Sequence, residues 1–307
     1  MALSRWTDNQ GNTMDEIINN MLDFRNWYEY ENDPITGEQL NVNIDKKFSE
    51  NRTMELNGHT MTFNYIEYDF EKVRPGEERN EMRSSRIFSL SGFILVYSDG
   101  EKTQYITNRS NNTSTLTILR KLNNYKKKLE ITANPLSITD DMFTWMIYKV
   151  LNSREESFDD ESHLTLDRII GFKGATTDKL AEIKGTGNRV MNLLSTLAFL
   201  FENESVSYIS TRINYDHETI ELAMSLSGSI DIDLDSYVGN YLFDSDYERF
   251  SKVILETFLE VIPKIIATYY TEKENNDWSV ELKNNFFVEI GTTIQETINE
   301  KLQLNNS

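Results

Sequence analysis

The stretch MELNGHTMTFNYIEY, residues 54–68, decides the fold class. Asn57-Gly58 stands between the short run Met54-Glu55-Leu56 and the alternating run Met61-Thr62-Phe63-Asn64-Tyr65-Ile66-Glu67-Tyr68. That dipeptide is strongly preferred in the two-residue turn whose central residues both need a positive φ, and alternation is the mark of a strand with one buried face. The stretch therefore predicts a β-hairpin. A second follows, because residues 87–97 (IFSLSGFILVY) and 103–107 flank Ser98-Asp99-Gly100-Glu101, whose Asp-Gly pair also suits a tight turn.

Upstream, residues 14–28 (MDEIINNMLDFRNWY) space Ile17, Ile18, Met21, Leu22 and Arg25 by three and four, which predicts an amphipathic helix. Downstream, the pattern predicts a helix over 113–128 and another that starts after Ser137 or Thr139 with Asp140-Asp141 and runs to about Leu151. An antiparallel sheet with helices thus fills an amino-terminal domain, 1–152. Residues 153–163 (SREESFDDESH) are charged and poor in large apolar side chains, which predicts an acidic linker.

In the carboxyl-terminal domain, 164–307, residues 164–172 read as a strand and 188–201 as a helix too apolar all round for a surface, hence buried. Three closely spaced strands over 207–215, 219–227 and 229–235 predict a β-meander. Ser245-Asp246-Tyr247-Glu248 matches a capping box and opens a helix to about Tyr270 that Pro263 should kink. A last helix, about 278–302, carries Phe286, Ile290, Ile294, Ile298 and Leu302 at a four-residue spacing. The expected fold is α+β: an antiparallel sheet with helices, then a meander packed by a buried helix and two long C-terminal helices.

With 307 residues, 38% hydrophobic, the chain is long enough for two folded domains. The absence of cysteine excludes disulfide scaffolds, cysteine-ligated zinc, iron–sulfur clusters and a cysteine nucleophile, and fits a reducing cytoplasm. The start, Met1-Ala2-Leu3-Ser4-Arg5-Trp6, has no apolar signal core, and the most hydrophobic stretch, 193–201, is far short of a bilayer span. The expectation is a cytoplasmic protein without a membrane partner. The wealth of Asn, Ile and Lys, residues with AT-rich codons, points to a bacterial or phage genome and so to phage defence or phage–host conflict as a context.

The net charge is −19, from 31 Lys+Arg against 50 Asp+Glu, and should repel polyanions. One segment reverses the sign. Residues 102–128 contain Lys102, Arg109, Arg120, Lys121, Lys126, Lys127 and Lys128 and no acidic residue, which leaves −26 for the rest. Wound as a helix, the segment puts Thr117, Arg120, Lys121, Asn124, Lys127 and Lys128 on one face, with Ile118, Leu122, Tyr125 and Leu129 opposite. Arg109 precedes it in a loop of short polar side chains at the expected helix N-terminus. The principal expectation is a binding protein that contacts the phosphate backbone of DNA or RNA through this helix, without a cofactor. The plainer reading of the same residues is a solvated helix face.

Lys184-Gly185-Thr186-Gly187-Asn188-Arg189 could free backbone N–H groups for an anion between two cations, although it lacks the pattern of a P-loop. Asp167 with Glu182-Ile183-Lys184 resembles the D…(D/E)-x-K signature of nucleases, in which two carboxylates hold Mg²⁺ and the lysine assists; that resemblance implies a Mg²⁺-dependent nuclease as the alternative function. Asp231, Asp233 and Asp235 alternate along one strand face and are a candidate cation site, though not an EF-hand. His59, His163 and His217 show no zinc spacing. A third reading is an acidic interaction module that mimics nucleic acid and captures a basic protein.

Overall fold

The computed structural model describes residues 2–127, 129–153, 157–158, 163–175, 182–187, 198 and 205–304. The fold is α+β, with antiparallel strand pairing and two long helical segments at the carboxyl end. The chain divides into two compact units, Met1–Pro135 with Ser245–Lys252, and Leu136–Asp244 with Val253–Ser307. No helix among the described residues is long and apolar enough to cross a membrane.

In the first unit the sheet runs in the order β2 (Val42–Lys46), β4 (His59–Val73), β5 (Ile87–Ser98), β6 (Thr103–Thr107), β1 (Ala2–Asp8). β3 (Arg52–Leu56) also pairs with β4, and β7 (Ile131–Ala133) with β1. β4 is long enough to hold β3 against residues 59–63 and β2 against residues 66–70 of the same edge. The Asn57-Gly58 hairpin forms as expected, with φ of 51° and 73° at the two turn residues. Both values lie in the left-handed region that this turn requires.

One face of this sheet is covered by α1 (Met14–Leu22), α2 (Phe24–Trp27) and α4 (Thr113–Leu122); Ile17, Met21, Phe24 and Leu119 join Ile66 and Ile94 in one core. α1 opens with a capping box in which Thr13 and Glu16 satisfy one another's backbone N–H. The helix expected over 14–28 breaks at Asp23, whose N–H still donates to the Asn19 carbonyl while its side chain accepts from Asn26 in the short helix that follows. A short helix, α3 (Arg83–Arg86), brings Arg86 to the buried Asp33, which accepts two hydrogen bonds of 2.8 Å from its guanidinium.

In the second unit the order is β12 (Ile230–Val238), β11 (Glu218–Ser225), β10 (Ser205–Tyr215), β8 (Thr165–Ala175), β9 (Glu182–Thr186), which contains the expected meander. Helix α5 (Asp140–Asn152) packs on β8 and β10, and its residues from Met142 to Ile147 are all buried. The sequence places this helix at the close of an amino-terminal domain ending at 152; in the structure it belongs to the second compact unit, because the strands it packs on, β8 and β10, are there. The buried helix expected over 188–201 lies outside the described residues, as do 154–156 and 159–162 of the expected linker.

α6 (Asp246–Glu256), a wide π turn (Thr257–Val261) and α7 (Ile262–Glu274) follow one another without a gap and make up the helix expected from 245 to about 270, with its irregularity just before Pro263. Pro263 has no N–H to return to Leu259, and the wide turn just before it absorbs the defect. α8 (Val280–Leu304) buries Phe286 and Ile290 of its stripe, whereas Ile298 and Leu302 are 42% and 56% exposed.

Candidate functional site

The basic segment 102–128 is built by α4 and the turn that follows it. Asn112 caps the helix by accepting from Thr115 N–H at 3.0 Å. The helix expected to run to 128 instead stops at Leu122. Asn124 takes a φ of 55°, its N–H donates to the Lys121 carbonyl, and the Tyr125 N–H donates to the Arg120 carbonyl at 2.8 Å. These two bonds form a Schellman termination, which satisfies carbonyls the helix end would leave open. Lys126 and Lys127 therefore leave the helix axis and do not extend the face begun by Thr117, Arg120 and Lys121. Lys128 lies outside the described residues.

The termination creates a cavity of about 350 Å³, lined by Trp27, Tyr28, Glu29, Thr117, Arg120, Lys121, Asn124, Tyr125 and Lys126. Four of the residues assigned to the basic face, Thr117, Arg120, Lys121 and Asn124, are thus brought together. Lys127 is exposed beside them, and its N–H is bonded to the Glu130 carboxylate. Against Arg120, Lys121 and Lys126 the lining holds one acid, Glu29, so the pocket is positive in a strongly negative chain.

Several of these side chains are held in place. The Lys121 ammonium sits 4.3 Å from the Tyr28 ring centroid and 3.9 Å from the Glu31 carboxylate. Phe70 stacks on Tyr28 at 5.6 Å; burial, with Glu31 and Tyr30 nearby, pushes the Tyr28 hydroxyl up to about 12. Tyr125 O–H donates to Asp8 at 2.8 Å and accepts from Asn12, and Trp27 Nε1 donates to the Asn20 carbonyl at 2.7 Å. Arg120 Nε is buried with no hydrogen-bond partner among the described residues. Lys72, on β4, is less basic than an ordinary lysine because of burial and the proximity of Lys121. Positive charge is crowded around this pocket.

Sequence reasoning missed Trp27, Tyr28, Glu29 and Tyr125 as parts of the site. Tyr125 was expected on the apolar face, and it is the helix stop at Asn124 that turns it into the pocket wall. The only advance signal for the other wall was the aromatic run Trp27-Tyr28-Glu29-Tyr30 directly after a helix.

Arg109 is elsewhere. Its Nε donates to Tyr68 Oη at 2.6 Å and its Nη2 to the Ser91 carbonyl at 2.8 Å, which fastens it to β4 and β5. Gly92 makes this possible, since a Cβ there would lie 2.5 Å from Tyr68 Oη and 2.6 Å from Asn108 Oδ1.

The nuclease-like residues are not brought together. Glu182 pairs with Ala175, eight residues along β8 from Asp167, a separation of roughly 26 Å at about 3.3 Å per residue. Lys184 pairs with Lys173, and Asp167 lies 3.3 Å from Arg168 Nε. Of the glycine-rich segment, Gly185 is a strand residue opposite Phe172 and the Gly187 N–H donates to the Ile170 carbonyl, so its backbone serves the sheet; Arg189 lies outside the described residues. Asp231 and Asp233 pair with Ala223 and Glu221 of β11, after which the register shifts and Asp235 falls in the irregular stretch before Val238; Asp233 and Asp235 are exposed. Among the described residues no group of three or more His, Asp or Glu side chains is placed to hold a metal ion.

No family model matches this chain, and no curated protein matches it in sequence.

Proposed function

We propose that the protein binds nucleic acid by phosphate contacts made by Arg120, Lys121 and Lys126, with Thr117, Asn124 and Lys127 as neighbouring donors. The observation that carries this reading is the positive pocket itself: the longest stretch free of acidic residues, which includes 102–128, is also where cationic and aromatic side chains converge on a cavity. Phosphate contacts draw on lysine, arginine and short polar side chains, and they require a local reversal of sign in an acidic protein. The roughly 26 Å between Asp167 and Glu182 speaks against the nuclease alternative.

The test is fluorescence anisotropy with labelled DNA and RNA at about 0.1 M salt. Replacing Lys121 and Lys126 together by glutamate is expected to weaken binding at least about tenfold, because each reversal turns a phosphate contact into repulsion. Lys102→Glu, in the same basic segment but outside the pocket, is expected to leave affinity within about twofold. Equal binding by the double variant, or none by the unmodified protein, overturns the reading.

A further inference from the structure

Resting on that reading, we infer that the pocket takes one nucleotide unit, with its base lodged between Trp27 and Tyr125 and its phosphate on Arg120 and Lys126. The protein then prefers an unpaired strand to a duplex. A cavity of about 350 Å³ falls at the small end of ligand pockets, the scale of one such unit. A base within a duplex is stacked on both faces and cannot enter, whereas an unpaired base can be turned out onto aromatic side chains.

The walls divide the work. Tyr28 is occupied, with Phe70 stacked on it and Lys121 over it, so it fixes a cation rather than offering a surface. Trp27 and Tyr125 are the aromatic side chains left to the ligand. Each is anchored at its polar end, Trp27 to the Asn20 carbonyl and Tyr125 to Asp8, so little ordering remains to be done on binding. The Arg120 guanidinium lines the pocket and offers its N–H donors to a ligand oxygen. The carboxylate of Glu29 is an acceptor for a base amino group or a sugar hydroxyl.

The same chemistry is offered by a strand and by a free nucleotide, and the assay separates them. The full chain is titrated against a labelled 12-nucleotide single strand and its duplex, and then with nucleoside 5′-monophosphates or inorganic phosphate as competitors. The expected result is at least about tenfold tighter binding of the single strand, displaced by monophosphates but not by phosphate at the same concentration. Trp27→Ala should weaken single-strand binding by roughly 5- to 100-fold and leave duplex binding unchanged. Because Trp27 also packs on its neighbours, Thr117→Trp provides a second variant: Thr117 is exposed at the pocket, and the larger ring should block the base without disturbing the core. Equal binding of single strand and duplex, unaffected by either variant, overturns the inference while the phosphate reading stands. Binding of monophosphates without any binding of strands supports the pocket and overturns the nucleic-acid reading. No binding of strand, duplex or monophosphate overturns both.

Discussion

Asn57 and Asn124 adopt nearly the same left-handed backbone, φ 51° and 55°, yet only the first was legible in the sequence. Asn57 precedes a glycine between two alternating runs, so the turn is written in three signals at once. Asn124 sits where a three-to-four spacing of apolar residues continues through Tyr125 and Leu129, and that periodicity outvoted a single asparagine. The termination is nonetheless encoded there: in the left-handed region a Cβ costs about 1–2 kcal/mol, which glycine avoids and asparagine tolerates. Asn124→Ala is accordingly expected to lower stability by about 1 kcal/mol in urea denaturation and Asn124→Gly to leave it unchanged or raise it slightly; equal losses would mean that backbone strain is not what asparagine relieves. A second residue carries a pH signature. Burial, with Glu218 and Glu260 adding like charge, pushes the Glu256 carboxyl up to about 8, and its Oε2 is buried without a hydrogen-bond partner among the described residues. The folded protein then holds a proton that the unfolded chain releases near pH 4.5, so this residue makes stability fall as pH rises from about 4.5 to 8, at up to about 1.4 kcal/mol per pH unit. Glu256→Gln, neutral at every pH, should match the unmodified protein near pH 5 and melt at a higher temperature at pH 8.5. Parallel melting curves across that range would refute the assignment.

At the scale of elements, the second unit is tied together at one carboxylate. Asp141, in the first turn of α5, accepts from Tyr269 and Lys273 of α7 at 2.7 and 3.1 Å, from Lys283 of α8 at 2.7 Å, and from Trp278 between those helices at 3.3 Å. Burial opposes its ionisation, but the hydrogen bonds from Lys283, Tyr269 and Lys273 outweigh it and hold the carboxyl well below the usual carboxylate range. A depressed folded pKa contributes stability that is fully present above the unfolded value, about 3.9, and is lost progressively as pH falls from there through the lower folded value. Asp141→Asn is therefore expected to cost about 1–2 kcal/mol at pH 7, a figure moderated by the solvent that still reaches the site, with the gap to the unmodified protein closing below about pH 4. A gap of the same size at pH 7 and at about pH 2 would show that geometry rather than charge is what the residue supplies. None of this hub was visible in the sequence, because the donors lie more than 120 residues from Asp141 and share no local spacing with it. The same contrast governs the strands. β4, β5 and the meander announce themselves by alternation and turn residues, whereas the apolar pattern of β1, which pairs with both β6 and β7, is broken by Ser4 and Arg5 and gives no strand signal. Pairing also undid the one motif that depended on it: Asp167 and Glu182 are close enough in sequence to suggest a metal site, but the β8–β9 register, which no spacing reveals, draws them apart.

For the whole molecule, the segment of seven positive charges within a chain of −19 was legible from composition alone, but not how many of those charges a polyanion can reach. Arg109 is fastened to Tyr68 and Ser91, and Lys102 lies outside the pocket, which leaves Arg120, Lys121 and Lys126 as the central set. This arrangement sets the salt dependence. A single strand releases counterions in proportion to the phosphates neutralised, with a slope of about −0.7 per contact in a plot of log affinity against log salt. Three contacts give a slope near −2, and seven would give about −5. The acidic remainder acts in the other direction at low ionic strength, where charges are felt over about 30 Å at 0.01 M but only about 10 Å at 0.1 M. Affinity for a single strand should thus change little, or even rise, from about 0.01 to 0.05 M salt as that repulsion is screened, and then fall with a slope of about −2 above 0.1 M. Lys126→Ala should reduce the slope by about 0.7 while Arg109→Ala leaves it unchanged. A slope near −5 in the unmodified protein, or an equal change in both variants, would mean that the whole basic segment meets the phosphates and that the pocket is not where the contact is concentrated.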